Sequence, residues 1–278
     1  MTQNVLKIGY SPCPNDTFIM GALANGLVKC PFKAEITLED VETLNQWSIR
    51  GLLDVTKLSF CALGHVLDTY ALLPSGAALG RGCGPVIVAR KGTDIKDLSS
   101  SKVATPGTYT TARLLLQLFS GKDLNTVEMI FSEIMPAVAR GDVEFGLVIH
   151  EGRFTYKQYG LEILLDLGQW WEDQTGHPIP LGGIAIKREL GTRPAREVGL
   201  AIRKSLLFAQ ENTDKIMPYI LSHAQEMSLD VVNKHIALYV NEFSLELGDR
   251  GKSAVEALFA KASNIGIMDR PEKPIFAY

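Results

Sequence analysis

One of the five histidines stands apart by position. His150 ends the apolar run Phe145-Gly146-Leu147-Val148-Ile149 and precedes Glu151-Gly152-Arg153. Imidazole titrates at about 6.5 when unperturbed, so a histidine held at a strand end can serve as a neutral base at working pH. A histidine merely hydrogen-bonded at a strand end would read the same way. Glu151 could orient the ring, although adjacent strand residues point to opposite faces. His65, His177, His223 and His235 fall on helical or loop segments without acidic-triad or metal spacing, and surface or satisfied-core roles suffice for them. A second group of interest is Thr105-Pro106-Gly107-Thr108-Tyr109-Thr110-Thr111-Ala112, which runs from a strand into a helix. Unpaired N–H groups at the helix start, with threonine hydroxyls, offer a seat for a carboxylate; ordinary helix capping would also account for these threonines. Lys57, beside Ser59 at another strand end, could bring a positive charge to the same ligand, or could lay its stem over the surface.

Other conspicuous patterns lead elsewhere. Gly80-Arg81-Gly82-Cys83-Gly84-Pro85 has neither the dinucleotide fingerprint nor a P-loop ending. A serine hydrolase is excluded for want of a G-x-S-x-G elbow. Trp170-Trp171 could stack on an aromatic ligand, but packing near a hinge explains the pair better. Cys13, Cys30, Cys61 and Cys83 form no CxxC pair, so neither zinc nor a disulfide framework is expected, and free, mostly buried thiols are.

The elements that must position these residues alternate in α/β fashion, with mainly parallel pairing. Leu6–Tyr10 reads as a strand, and Asp16 as the cap of a helix reaching Asn25. Strands follow at Ala34–Leu38 and Val55–Phe60, with a helix at 42–50 between them. About ninety residues later a helix at 134–140 and a strand at 144–149 repeat the unit. Superposing Arg50-Gly51 on Arg140-Gly141 sets Asp54 opposite Glu144. That repeat is either the common helix–Gly–strand grammar or the mark of two lobes built on one plan. Ligands of parallel sheets bind beyond the C-terminal strand ends, which selects the junctions 11–17, 56–59, 105–111 and 150–153. Gly84–Arg90 and Pro178–Ile186 read as crossings between lobes. The expected architecture is a discontinuous first lobe, 1–91 with 184–278, around an inserted lobe at 92–183; helices are expected at 196–212, 229–240 and 253–263.

Composition narrows the partners. The 278 residues carry 28 basic and 31 acidic side chains, a net charge of −3, which argues against nucleic acid as a partner. No run of 18 apolar residues appears, so no membrane partner is expected. The N-terminus lacks the pattern of a secretory signal, which makes the cytoplasm the expected compartment. Apolar residues on the C-terminal helices could serve either a homodimer or the core.

The junctions also resemble a known family. Ser11-Pro12-Cys13-Pro14-Asn15-Asp16-Thr17-Phe18 is similar to the N-terminal signature of the 1,4-dihydroxy-6-naphthoate synthases of the futalosine route to menaquinone. The resemblance continues through 38–45, Thr56-Lys57-Leu58-Ser59, Gly80-Arg81-Gly82, Thr110-Thr111, His150-Glu151-Gly152-Arg153-Phe154-Thr155-Tyr156 and Tyr239-Val240-Asn241, close to the whole chain. It implies an α/β, two-lobed periplasmic-binding-protein-like (type II) fold with a central cleft and two crossing segments. It also implies a lyase acting on cyclic dehypoxanthinyl futalosine, a carboxylated small molecule, with no cofactor and no metal. By the same resemblance His150 is the catalytic base, and Lys57, Leu58, Ser59, Thr110 and Thr111 bind the substrate. A chorismate dehydratase-like eliminase and a non-catalytic small-anion binding protein are the rival readings.

Overall fold

The computed structural model describes residues 5–121, 124–224 and 228–278; the first four residues of the N-terminal reading lie outside them. The chain opens with β1 (Val5–Tyr10), α1 (Pro14–Ala24), β2 (Lys33–Leu38), α2 (Val41–Ile49), β3 (Val55–Ser59), α3 (Phe60–His65), β4 (Tyr70–Leu72) and β5 (Ala78–Gly80). It then crosses through β6 (Val86–Arg90) to β7 (Val103–Thr105), α4 (Thr111–Ser120), β8 (Thr126–Glu128), α5 (Phe131–Arg140), β9 (Phe145–Val148), α6 (Gly152–Thr155), β10 (Leu161–Asp166) and α7 (Leu167–Thr175). The return strand β11 (Ile179–Lys187) leads into α8 (Thr192–Glu211), α9 (Thr213–His223), α10 (Leu229–Tyr239), α11 (Glu242–Leu245) and α12 (Gly248–Asn264). No helix among the described residues is long and apolar enough to cross a membrane.

Two sheets result, ordered β2-β1-β3-β11-β4, with β5 also on β11, and β8-β7-β9-β6-β10. They follow one plan. In each, three strands run parallel and the crossing strand pairs antiparallel with the third, β11 on β3 and β6 on β9. The repeat seen in the sequence is therefore real at the level of atoms. Asp54 accepts the Lys7 backbone N–H at 2.9 Å, and Glu144 accepts that of Lys102 at 3.0 Å. The paired glycines both take the left-handed conformation, with φ of 64° at Gly51 and 85° at Gly141, which lets the chain leave a helix and re-enter a strand within a few residues.

Sheet membership shifts both expected lobe boundaries. Strand β6, expected at the end of the first lobe, belongs to the second sheet. The segment 179–183, expected in the inserted lobe, already pairs in the first sheet, Gly182 with Ser59 and Gly183 with Leu58. A crossing strand needs a neighbour for its backbone groups, so it joins the sheet it is entering.

One helix start also departs from expectation. Cys13, not Asp16, is the N-cap of α1, and Pro14 occupies the first turn, where its missing N–H costs nothing. Asp16 lies inside the helix, its carboxylate turned to other partners. The caps of α2 and α4 are conventional: Asp40 accepts from the Glu42 and Thr43 amides and Thr110 from the Arg113 amide.

Behind the cleft the lobes share packing. One apolar cluster joins Phe60 and Leu72 of the first sheet region to Leu114, Phe145 and Trp171 of the second, through Leu258 and Phe259 of α12. Trp171 is fully buried and donates to the Pro178 carbonyl at 3.2 Å, so it packs as expected. The crossings are pinned to each other by Arg81 and the Gly82 amide on Glu172, at 3.1 and 2.7 Å, and by Arg153 on the Gly84 carbonyl at 2.8 Å. There Gly84 approaches Gly168 so closely that a Cβ on it would lie 2.3 Å from the Gly168 Cα. Gly84→Ala is therefore expected to force backbone apart at the hinge, lowering the thermal midpoint by roughly 3–8 °C. An unchanged midpoint in calorimetry would refute this account of the hinge.

Candidate active site

The four junctions converge. Residues from 11–16, 57–59, 110–112 and 149–150 border one cavity between the lobes, about 660 Å³ of empty space counting its solvent-open mouth. Its walls combine polar groups with Val41, Ala78, Pro85 and Leu181, so they offer a small molecule both apolar contact and hydrogen bonds. All six residues singled out in the sequence, Lys57, Leu58, Ser59, Thr110, Thr111 and His150, border this space. Their roles in it differ.

On the first lobe, parallel pairing of β1 and β3, with Ile8 opposite Val55 and Gly9 opposite Thr56, sets their C-terminal ends side by side. Lys57 there forms an ion pair with Asp16, both side chains under a tenth exposed. Asp16 also accepts from Ser11 Oγ at 2.7 Å and Asn15 Nδ2 at 2.8 Å. The ammonium lies 3.5 Å from the Gly76 carbonyl as well, and with three N–H donors it keeps one for a ligand. Ser59 Oγ accepts from Asn45 Nδ2 at 3.2 Å, which leaves the hydroxyl proton as a donor. Leu58 alternates with these two along the strand, and its side chain is packed in the apolar cluster.

The threonines are structural to a larger degree than the carboxylate-seat reading supposes. Thr110 Oγ1 donates to the Gly107 carbonyl at 2.8 Å and accepts from the Arg113 amide. Thr111 Oγ1 donates to the Leu181 carbonyl at 2.6 Å and accepts from the Cys61 amide at 3.3 Å, tying α4 to the first lobe. What this helix start offers a ligand is its first amides, those of Thr111 and Ala112, which have no acceptor within the helix. Glu42 closes the same edge. It accepts the Tyr109 amide across the cleft at 3.2 Å, and burial pushes its carboxyl up to about 7.

His150 sits on the second lobe with φ of 55°, the one non-glycine residue with positive φ among those described. The left-handed conformation costs about 1 kcal/mol or more for such a side chain, and strain of this kind gathers at functional sites. Its Nδ1 lies 3.5 Å from Cys13 Sγ, so Nε2 is the nitrogen left to the cavity. Burial lowers the imidazole pKa, opposed by the charges of Glu151 and Asp16 and aided by Lys57. Cys13, which read only as a buried thiol, is the ring's neighbour. Glu151 makes no such contact, and its Oε2 is buried without a hydrogen bond.

Sequence reasoning missed His235. It is fully buried, its ring parallel to that of His150 at 6.2 Å between centroids, and its Nε2 lies 2.9 Å from Asn15 Oδ1. The overlooked signal was the spacing of His235 and Tyr239, four residues apart and so on one face of a helix.

Comparison with known proteins identifies the family. A family model described as menaquinone biosynthesis matches residues 6–264. The chain is 47% identical over 271 residues to a 1,4-dihydroxy-6-naphtoate synthase of Thermus thermophilus, covering 98% of each. It is 45% identical over 273 residues to the protein of that name from Streptomyces coelicolor, covering 96% of each. A solved Archaeoglobus fulgidus protein superposes with a TM-score of 0.90 at 35% identity, over 95% of this chain and 98% of that one. The aliphatic sulphonate binding protein of Escherichia coli, 12% identical, superposes at 0.65 over 99% and 94% and shares the fold alone, that of periplasmic binding proteins. With family model and near-full-length relatives in agreement, the chain belongs to the menaquinone biosynthesis family, among its 1,4-dihydroxy-6-naphthoate synthases.

Proposed function

We infer that the protein is a lyase that cleaves cyclic dehypoxanthinyl futalosine, a carboxylated small molecule, to 1,4-dihydroxy-6-naphthoate. The observation that carries this reading is the cavity, whose border His150, held in a left-handed backbone turn, shares with the Lys57 ammonium, the Ser59 hydroxyl and the start of α4. In the proposed reaction, His150 Nε2 removes a proton next to the substrate ketone. As a base His150 acts in the tautomer with the proton on Nδ1, which the Cys13 sulfur can accept, and the lone pair on Nε2. The enolate then expels the sugar-derived fragment through carbon–carbon and carbon–oxygen cleavage, and aromatisation of the bicycle drives the step. Electrons move only within the substrate, so the reading calls for no oxidant, reductant or metal. The Thr111 and Ala112 amides are suited to the carboxylate, and Lys57 balances its charge. Closure of the lobes would keep water from the enolate.

The deciding assay incubates the pure protein with cyclic dehypoxanthinyl futalosine or with chorismate and follows products by chromatography. Naphthoate formation supports the reading, turnover of chorismate supports the dehydratase, and binding without turnover supports a receptor. His150→Asn is expected to lose at least 10³-fold in kcat while its thermal midpoint stays level or rises, because asparagine tolerates the left-handed conformation. Near-normal turnover in that variant would remove His150 from the mechanism. A nitrogen-detected titration of the His150 imidazole, assigned by its loss in His150→Asn, should give a pKa below 6.5, and a value above 7 would contradict the neutral base. Lys57→Met strands a buried carboxylate and should cost about 3–5 kcal/mol of stability. Adding Asp16→Asn should restore most of it, and strictly additive losses would show that the pair is not coupled.

A further inference from the structure

The enolate proposed above needs a donor for the charge that develops on its oxygen, and most hydroxyls around the cavity are already committed. Thr110 and Thr111 donate to the Gly107 and Leu181 carbonyls, and Ser11 donates to Asp16. Tyr239 differs. It borders the cavity and is 6% exposed, and its hydroxyl has no hydrogen-bond partner among the described residues. A phenol set in a cavity wall with its hydroxyl unmatched by protein is satisfied by what fills the cavity.

The surrounding structure holds that phenol in place. Helix α10 ends at Tyr239 and carries His235 one turn earlier on the same face. The His235 ring packs against the Tyr239 ring at 4.6 Å between centroids. His235 is fixed in turn through Nε2 on Asn15 Oδ1 at 2.9 Å, and the Asn15 amide nitrogen is spent on Asp16. That bond therefore has His235 donating from Nε2, and the ring nitrogen that remains, Nδ1, is buried without a partner. Burial holds His235 well below its ordinary pKa and so neutral. Burial likewise pushes the Tyr239 phenol upward, so the hydroxyl keeps its proton and stays a donor.

We propose that Tyr239 is a further catalytic residue, whose hydroxyl donates a hydrogen bond to the substrate oxygen that becomes an enolate when His150 takes the neighbouring proton. The step balances within the site. The substrate C–H bond breaks and an N–H bond forms on His150, while the electron pair enters the new C=C bond and the carbonyl π pair moves to oxygen. Tyr239 stabilises that oxygen without losing its proton, and the proton on His150 is available to the departing oxygen. This assignment rests on the reaction proposed above.

The test compares wild type, Tyr239→Phe and the protein with 3-fluorotyrosine at position 239, all full length, with cyclic dehypoxanthinyl futalosine as substrate. Tyr239→Phe should lose about 10²-fold or more in kcat, as removal of one preorganised donor does, with KM within about threefold of wild type. Its thermal midpoint should stay within about 2 °C, since no protein hydrogen bond is lost. The fluorotyrosine protein keeps the donor and should retain kcat within about threefold. A Tyr239→Phe kcat within threefold of wild type overturns the assignment, as does a loss confined to KM or an equal loss in the fluorotyrosine protein. A wild type inert toward this substrate overturns the proposed reaction and this role together; an active wild type matched by Tyr239→Phe overturns the Tyr239 assignment alone.

Discussion

The buried ion pair between Lys57 and Asp16 is the interaction on which the rest of the site depends. Removing two charges from water costs several kcal/mol apiece, and their attraction offsets this only when the remaining donors and acceptors are also matched. Here they are matched by a small constellation: Ser11 and Asn15 on the carboxylate, the Gly76 carbonyl near the ammonium. Satisfying Asp16 thus pins the loop between β1 and α1. Cys13 of that loop meets the His150 ring, and Asn15 in the first turn of α1 fixes His235. One electrostatic requirement propagates from the first lobe to the His150 imidazole on the second.

The two lobes repeat one topology but divide the chemistry. Equivalent strand ends carry unlike groups, an ammonium and a hydroxyl at the end of β3, an imidazole just after β9. A cleft between such sheets faces an acid–base group with a charge-stabilising surface, and neither sheet alone could present both to one molecule. The sulphonate-binding relative in fold shows that the scaffold itself does not specify chemistry. What sets this cleft apart is His150, a candidate base held in a left-handed backbone turn with its pKa lowered by burial.

Legibility in the sequence followed the range of the interaction. The strand ends near Tyr10, Ser59, Thr105 and Val148 were readable to within about one residue because strand patterning and helix-stopping glycines act over a few residues. Gly51 and Gly141 marked the repeat for the same reason. Asp16 was misread as a cap because a carboxylate at a helix start ordinarily meets amides, and nothing local reveals a lysine 41 positions later. Thr111 was read toward the ligand because its partners, Leu181 and Cys61, lie on the other lobe. The lobe boundaries were drawn several residues off because strand periodicity does not state which sheet a crossing strand joins.

By itself the sequence determined the α/β alternation, the four strand-end junctions, the candidate base and the resemblance that led to the family, since each rests on local pattern or on matched residues. Tertiary structure decided which groups are free and which are spent. It placed Cys13 rather than Glu151 at the imidazole, committed both threonine hydroxyls to backbone carbonyls, and left the Tyr239 hydroxyl without a hydrogen-bond partner among the described residues. Those outcomes depend on contacts between residues tens to hundreds of positions apart, where hydrogen-bond geometry and burial, which no local pattern encodes, set the chemistry.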